Sequence, residues 1–306
     1  MRKAPPVINA LSFDIEDWFH LVDIKSLSDP AGWDRLPSLV EKYTDWIIDT
    51  IDQAGVRATF FVLGWVAERH PALVRRIADA GHELASHSHM HKRVDKFSPQ
   101  AFADDLQRSI DVIEQHSGRK VLGFRAPSFS ITPGAEWAFD VMHDLGLAYD
   151  ASLFPARRGQ GGYPCPLDPH TFEKTPTGRP MPVLPMSIMR IGPFKLPFSG
   201  GGYLRLLPQA MIRRGFRQIH QRGQPVVVYL HPRDFAPECP RAKMPLHRYF
   251  RCYVGMKTSK QKLHMLLDRY RFDTCAAVLG IDQNNTAPGD DTTATQLTGQ
   301  ASSSPH

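Results

Sequence analysis

The chain has 306 residues, of which 42% are hydrophobic and 22% are charged, as is ordinary for a soluble globular protein with one large core. The formal net charge is +6, but the lysines and arginines are scattered, so no basic stripe predicts nucleic-acid binding. The four cysteines form no CxxC pair, and no apolar stretch is long enough to cross a membrane. These features exclude a thiolate metal site and a transmembrane protein, and they favour a cytoplasmic location.

Strands and helices alternate along most of the chain. Apolar runs rich in β-branched and aromatic residues predict strands at 7–13, 58–63, 82–85, 121–125, 147–149 and 226–230. Apolar residues at helical spacing predict helices at 38–54, 70–80, 98–116, 134–145 and 208–222. Repeated strand–helix units with short connections predict a parallel sheet covered by helices, either open or closed as a barrel.

Three further segments depart from this alternation. Residues 155–202 are rich in proline and glycine and predict a long insertion beside the functional site. After residue 235, a helix is predicted at 260–269 and a strand at 272–277. From residue 282 onward the chain is rich in Asn, Thr, Ser and Gln and has almost no apolar residues, which predicts a disordered tail.

Side chains of the kinds used in catalysis follow several predicted strands. In a barrel of this class, functional groups collect at the carboxyl ends of the strands. We therefore expect these strand-end residues to lie close together. They are Asp14, Glu16, Asp17, His87, His91, Arg125, Asp150 and His231.

The histidine pair suggests a metal site. His87 and His91 are four residues apart, so on a helical turn both imidazoles would point the same way and could hold one ion. A carboxylate from the first strand would complete a three-ligand set and leave a position for water, as in hydrolytic metal sites. We expect Zn²⁺, although Co²⁺, Ni²⁺ or Fe²⁺ suit the same ligands. For an HxxxH pair taken alone, a solvated polar loop is the alternative.

These segments resemble, in order, the five motifs of the polysaccharide deacetylases, carbohydrate esterase family four with its chitooligosaccharide-deacetylase homology domain. The matching segments are Ser12-Phe13-Asp14, His87-Ser88-His89-Met90-His91, Arg125-Ala126-Pro127, Asp150 and Leu230-His231-Pro232. The resemblance implies an α/β fold, a distorted (β/α) barrel of about seven parallel strands. It places the deacetylase domain at residues 1–235. Residues 236–281 are similar to a C-terminal extension found in the exopolysaccharide-locus, exosortase-associated branch, packed on the same domain.

The resemblance implies a role for each matched residue. Asp14 corresponds to the general base, and Arg125 corresponds to the arginine that braces the base carboxylate. His231 corresponds to the general acid that protonates the departing amine. Asp150 corresponds to the carboxylate that orients and charges this acid. The backbone N–H of Ser128 is a candidate donor to the oxyanion.

The same resemblance makes His87 and His91 two of the metal ligands but leaves the third open. The family's usual aspartate next to the base is replaced here by Ile15, so Glu16 or Asp17 must substitute. Side chains alternate along a strand, which puts Glu16 on the same face as the base and favours it over Asp17.

The implied activity is a metal-dependent hydrolase that removes N-acetyl groups from amino sugars of a bacterial exopolysaccharide or its precursor and releases acetate. An amide is a poor electrophile with a poor leaving group, so a Lewis acid, a base and an acid each contribute to its hydrolysis. The expected partner is an N-acetylated polysaccharide or oligosaccharide. Two alternatives stay open: a hydrolase of a small amide or ureide on the same scaffold, and a non-catalytic carbohydrate-binding protein.

Overall fold

A computed structural model describes residues 6–22, 24–27, 29–156 and 161–281 of the chain. The tail predicted from residue 282 onward lies outside the described residues. The strands are β1 (Ile8–Ile15), β2 (Thr59–Val62), β3 (Glu83–Ser86), β4 (Gly123–Phe124), β5 (Tyr149–Asp150), β6 (His170–Phe172), β7 (Met181–Val183), β8 (Ile188–Ile191), β9 (Phe194–Pro197), β10 (Val227–Leu230) and β11 (Arg271–Asp273). The helices are α1 (Val40–Gln53), α2 (Gly64–Arg69), α3 (Pro71–Asp79), α4 (Pro99–Ser117), α5 (Trp137–Asp144), α6 (Gly201–Leu206), α7 (Gln209–His220), α8 (Leu246–Tyr253), α9 (Ser259–Arg269) and α10 (Cys275–Val278). Within this part of the chain, no helix has the length and hydrophobicity of a membrane span.

The strands form a curled, mostly parallel sheet in the order β10-β1-β2-β3-β4-β5-β7-β6. Phe13 of β1 pairs with Leu230 of β10 on one side and with Phe60 of β2 on the other. At the far edge β6 runs antiparallel to β7, and β11 pairs in parallel with the start of β1. The predicted α/β fold is confirmed: β10, β1, β2, β3, β4, β5 and β7 run parallel and curl into a half-barrel.

Alternation along β1 separates two layers of the core. Phe13 and Ile15 pack in the large apolar cluster between the sheet and the helices. Ala10 belongs to a second cluster inside the curl, together with Phe61 of β2 and Val227 of β10. Residues two apart along a strand share a face, so Ala10 and the polar residues that follow it on that face point into the curl. The carboxyl end of β1 therefore delivers polar side chains to the open mouth of the half-barrel.

The structure departs from the predicted elements mainly near the C-terminus. The strand predicted at 272–277 is wrong in its second half, because β11 ends at Asp273 and the chain turns into α10. The Thr274 side chain caps α10 by accepting a hydrogen bond from the Ala277 N–H. Cys275 and Ala276 of this helix fill the interior of the curl. Tertiary packing here overrides a local pattern that is compatible with a strand.

Two helices beside the functional site were not predicted. Gly200–Gly202 lies at the end of the segment predicted as a proline- and glycine-rich insertion, but α6 begins at Gly201, and Gly200 forms a parallel bridge with Tyr229. α8 has no buried residue, so its apolar face does not pack into the core as that of a typical surface helix does. The predicted extension over 236–281 contributes β11 to the sheet and packs α9 against α6. Its boundary after residue 235 stays a prediction.

Candidate active site

A cavity of about 280 Å³ lies at the carboxyl ends of β1, β3 and β10. This is near the lower end of the usual range for ligand sites, about 300–1,000 Å³. Three of the predicted site residues, Asp17, Arg125 and Asp150, are buried and do not line the cavity. The others form part of its wall: Asp14, Glu16, His87, His91, Ser128 and His231.

Asp14 and Arg125 form a buried ion pair at the base of the cavity. Arg125 Nη1 donates to Asp14 Oδ1 at 2.7 Å and to Ser12 Oγ at 2.9 Å. The guanidinium group lies over the Phe61 ring, 4.0 Å from its centroid, which holds it in place inside the curl. The other carboxylate oxygen of Asp14 lies 3.8 Å from His231 Nε2. One oxygen of Asp14 is thus bound by the arginine and the other faces the cavity.

Glu16, His87 and His91 bring three ligand atoms within 4.8 Å of one another. Glu16 Oε2 lies 2.5 Å from His91 Nε2 and 4.0 Å from His87 Nε2. His87 Nδ1 lies 2.7 Å from the carbonyl oxygen of Arg125. A carbonyl can only accept, so Nδ1 carries the proton and Nε2 presents its lone pair to the cluster. Burial lowers the pKa of His87 to about 4, which keeps the ring neutral as a metal ligand must be.

The two histidines converge by a loop and not by the helical turn expected from their spacing. Residues 87–91 follow β3 without forming a helix, and Ser88 and His91 have positive φ angles of 65° and 54°. The carboxylate of Asp105 on α4 accepts two backbone N–H groups of this loop. His91 N–H donates to Ser88 Oγ at 3.1 Å. Hydrogen bonds to side chains therefore replace the backbone pattern of a helix and compensate for the strained conformation.

Asp17, the alternative third ligand, has a different task. Its carboxylate accepts hydrogen bonds from Ser38 Oγ at 2.5 Å and from the backbone N–H groups of Leu39 and Val40 at 3.0 and 3.3 Å. These groups lie at the start of α1, where unpaired N–H groups need acceptors. Asp17 thus anchors α1, and Glu16 is the carboxylate that the geometry joins to the two histidines.

The expected pairing of His231 with Asp150 is wrong, because Asp234 occupies that place. His231 Nδ1 lies 3.0 Å from Asp234 Oδ2, and the same oxygen accepts the His231 backbone N–H at 2.9 Å. The chain after His231 forms a 3₁₀ turn, which brings the third residue back to the ring. Asp150 instead accepts the N–H and hydroxyl of Ser152 at 2.8 and 2.5 Å. Burial raises the pKa of Asp150 to about 7, despite those hydrogen bonds.

Arg205 of α6 supports the His231–Asp234 pair and was not identified from the sequence. Its Nε lies 3.0 Å from Asp234 Oδ1, and both side chains are almost completely buried. Nη1 donates to the carbonyls of Cys252 and Val254, and Nη2 donates to that of Arg251, each at 2.9 Å. The guanidinium group therefore ties the end of α8 to the His231–Asp234 pair. No motif marks an arginine in this position, so sequence reasoning had no signal for it.

Neighbouring charges shift the pKa values of Glu16 and His231 toward their ionised forms. Burial opposes ionisation of Glu16, but His91 beside its carboxylate, together with His231 and Arg233, holds the pKa of Glu16 well below the usual range. Burial also disfavours the charged form of His231, yet the charge and hydrogen bond of Asp234, helped by Glu16, raise its pKa above the usual value. The site thus favours a carboxylate at the cluster and an imidazolium beside it.

Ser128 and Arg233 complete the wall of the cavity. Ser128 has a φ of 58°, an unusual conformation directly after Arg125-Ala126-Pro127, and it faces the cavity. Arg233 Nε lies 3.9 Å from Glu16 Oε1, the oxygen that faces His231, whereas His87 and His91 lie at Oε2. His20 accepts the Asp17 N–H through Nδ1 at 2.8 Å and is not part of the cluster of Glu16, His87 and His91.

Comparison with known families places two matches along the chain. Residues 31–149 match the polysaccharide deacetylase family, and residues 151–280 match a domain of unknown function, DUF3473. A peptidoglycan-N-acetylglucosamine deacetylase from Bacillus cereus is 30% identical over 121 residues, which is 36% of this chain and 44% of the relative. A chitooligosaccharide deacetylase from Rhizobium leguminosarum bv. trifolii is 36% identical over 70 residues, 23% of this chain and 33% of the relative. The chain thus spans less than half the length of these relatives.

A solved structure extends the similarity of the fold to almost the whole chain. The solved protein comes from Mycobacterium smegmatis, and its own assignment as a polysaccharide deacetylase is provisional. It superposes with a TM-score of 0.60 and covers 97% of this chain and 98% of its own, at 20% sequence identity. At that identity the similarity concerns the fold, including the part that follows residue 149.

Proposed function

The chain carries a polysaccharide deacetylase domain over residues 31–149, and from that premise we propose that it is a metal-dependent hydrolase of N-acetylated amino sugars. The reaction proposed is removal of the N-acetyl group from a bacterial exopolysaccharide or its precursor, with release of acetate. The observation that carries the proposal is that Asp14 and His231 lie next to the cluster formed by Glu16, His87 and His91. Asp14 Oδ2 and Glu16 Oε1 each lie 3.8 Å from His231 Nε2.

The residues of the cluster fit a divalent metal ion. Glu16 Oε2 is buried and, although 2.5 Å from His91 Nε2, has no hydrogen-bond partner among the described residues. Two ligand atoms that approach without hydrogen-bonding geometry are arranged as if around a shared centre. Two imidazole nitrogens and one carboxylate oxygen suit Zn²⁺, and also Co²⁺, Ni²⁺ or Fe²⁺. When bound, such an ion would polarise the amide carbonyl and make water more acidic.

The side chains around the cluster can carry the proton transfers. Asp14 is held by Arg125 on one oxygen, so its other oxygen is available to accept a proton from water in the cavity. His231, kept protonated by Asp234, can donate a proton to the departing amine. The backbone at Ser128 is available on the cavity wall as the oxyanion donor that the family resemblance implies.

The assignment of an exopolysaccharide as the substrate rests on the family resemblance. The exopolysaccharide substrate is supported by the first motif, Ser-Phe-Asp-Ile-Glu-Asp, and by the segment after residue 235, which resemble the exopolysaccharide-locus branch. A cytoplasmic location stays a prediction.

The decisive experiment is acetate release from a panel of N-acetylated oligosaccharides, with the metal content of the protein measured in parallel. We expect His87→Ala to lose both metal and activity, and His231→Ala to lose activity while it keeps the metal. Acetate release that survives both substitutions would refute the site. Hydrolysis confined to small amides, or sugar binding without hydrolysis, would instead support one of the two alternative functions.

A further inference from the structure

The exposed apolar side chains of the molecule are concentrated at the rim of the cavity. Six large hydrophobic side chains are exposed in the described part of the chain, and four of these belong to α6 and α8: Leu206, Leu246, Tyr249 and Phe250. Leu246 is the most exposed of all, at 86%. Leu206 and Phe250 also line the cavity, so this face adjoins the candidate active site. Single exposed apolar residues are normal on protein surfaces, but a contiguous group marks an interaction site.

The orientation of α8 is built into the fold. Leu246, Tyr249 and Phe250 have the spacing of one helix face, and this face points to solvent. The opposite side is held by Arg205, which binds three backbone carbonyls at the C-terminal end of the helix. Arg248 Nη2 also donates to the carbonyl of Val22 at 2.6 Å. The helix is therefore anchored through polar contacts, and its apolar face remains uncovered.

The stretch of sequence that carries α8 has charges of one sign. From Cys239 to Leu267 the sequence contains no aspartate or glutamate. The same stretch contains the cations Arg241, Lys243, Arg248, Arg251, Lys257 and Lys260. Lys262 is buried and donates to backbone carbonyls of α6, so it does not contribute to the surface charge. Lys243 and Arg251 are exposed, and neither has a carboxylate partner among the residues that the structure describes. The face therefore combines apolar side chains with a cationic surround.

We propose that the face formed by α8 and the end of α6 binds an anionic lipid surface. A short helix that projects apolar side chains and is flanked by Lys and Arg has the composition of interfacial membrane-binding helices. Each basic residue near an anionic surface contributes attraction, and no carboxylate in this stretch opposes it. A stable protein interface needs about 800 Å² from each partner, which these few side chains do not supply. A lipid surface, in contrast, accepts projecting side chains without a matching shape.

This attachment would orient the candidate active site. Phe250 and Arg251 belong both to the face and to the wall of the cavity. With α8 on the bilayer, the mouth of the cavity lies next to the headgroups. If the proposed function holds, the enzyme would meet glycans carried by the same membrane. Lipid binding itself does not depend on that function.

The test is sedimentation of the full chain with phospholipid vesicles. We expect binding to vesicles that contain phosphatidylglycerol, little binding to vesicles of phosphatidylcholine alone, and weaker binding as salt screens the cations. Leu246→Glu should lower the partition coefficient about 10-fold or more, because it removes an apolar anchor and adds a repelled charge. The matched control is Ile8→Glu, a change of the same kind at a residue that is 50% exposed at the opposite end of β1.

Circular dichroism would show that both variants fold. Should Leu246→Glu unfold, Lys243→Glu serves instead, with the exposed Lys120 near the amino end of β4 changed to glutamate as its control. Binding lost only in the α8 variants would establish the face. No binding to anionic vesicles, equal binding to neutral vesicles, or equal binding by the α8 variant and its control would overturn the proposal. None of these readouts requires deacetylase activity.

Discussion

Replacement of Asp234 by asparagine is the sharpest test of the proposal that His231 is the general acid of this site. The change keeps the size of the side chain but removes the charge beside His231, whose Nδ1 lies 3.0 Å from the carboxylate. His231 must be protonated to donate to the departing amine, so the basic limb of the pH profile of kcat/KM reports its pKa. Without the carboxylate, burial and the charge of Arg233 both disfavour the imidazolium. We therefore expect the basic limb to move to lower pH.

The size of this shift follows from the distances. Two unit charges 3.0 Å apart attract by about 5 kcal/mol at an effective dielectric constant of roughly 20. That value is an upper bound, because Arg205 lies 3.0 Å from the other oxygen of Asp234 and offsets part of its charge. Opposite charges at this range usually shift a pKa by about 1–3 units. Since each unit is a tenfold change in protonation, kcat/KM above the basic limb should fall about 10- to 1,000-fold.

The assay is acetate release as a function of pH for the wild type, Asp234→Asn and Asp150→Asn, with metal content measured for each. Asp150→Asn is the matched control, since Asp150 is a buried carboxylate that hydrogen-bonds to Ser152 and not to His231. It should leave the basic limb in place. A large downward shift in Asp150→Asn with no shift in Asp234→Asn would refute the pairing seen in the structure.

Three further outcomes are expected. Glu16→Gln should weaken metal binding about 10-fold or more, as measured by equilibrium dialysis. Asp17→Asn should lower the unfolding free energy in denaturant with little effect on metal binding. Equal loss of metal in both variants would contradict the assignment of Glu16 as the ligand. The pKa of Asp150 is about 7 in the folded state and is near 4 when unfolded, so the native state binds more protons in this window. Its contribution to stability should therefore fall by roughly 2–4 kcal/mol as pH rises from 4 to 7. Asp150→Asn lacks this titrating group, so the unfolding free energy of the wild type relative to that of the variant should fall by the same amount over this range; a difference that does not change with pH would contradict the assignment. Gly255→Ala should lower activity and should lower the unfolding free energy by more than about 1 kcal/mol. Gly255 has a φ of 70°, and an added methyl group would collide with the backbone carbonyl of Arg205. An unchanged melting temperature and unchanged turnover would contradict this expectation.

Much of the fold and part of the candidate site could be predicted from short segments. Strand and helix patterns predicted the parallel sheet, and alternation along β1 favoured Glu16 over Asp17 as the neighbour of the histidines. The structure places His87 and His91 beside Glu16, although through a loop with two left-handed residues instead of a helical turn. The loop conformation was not predictable, because it depends on Asp105, which is contributed by a helix that follows the loop in sequence.

The support of His231 depended on tertiary structure. Asp234 is only three residues away, yet its role follows from the 3₁₀ turn that returns its carboxylate to the ring. Arg205 comes from a separate helix, and the backbone carbonyls that hold it lie more than forty residues further along the chain. The exposure of the apolar face of α8 could not be predicted either, because apolar residues have the same spacing whether a helix faces the core or the solvent.

The sequence by itself therefore determined which side chains stand at the ends of the strands, and the tertiary structure decided which of them pair. The first depends on hydrogen bonding and alternation within a few residues, which local sequence specifies. The second depends on where a buried charge finds its counterion, because a charge removed from water must be compensated by whichever group packing brings near. Asp150 and Asp234 are both buried aspartates close to matched motifs. The packing of α6 and the turn after β10 determine that His231 pairs with Asp234 and not with Asp150.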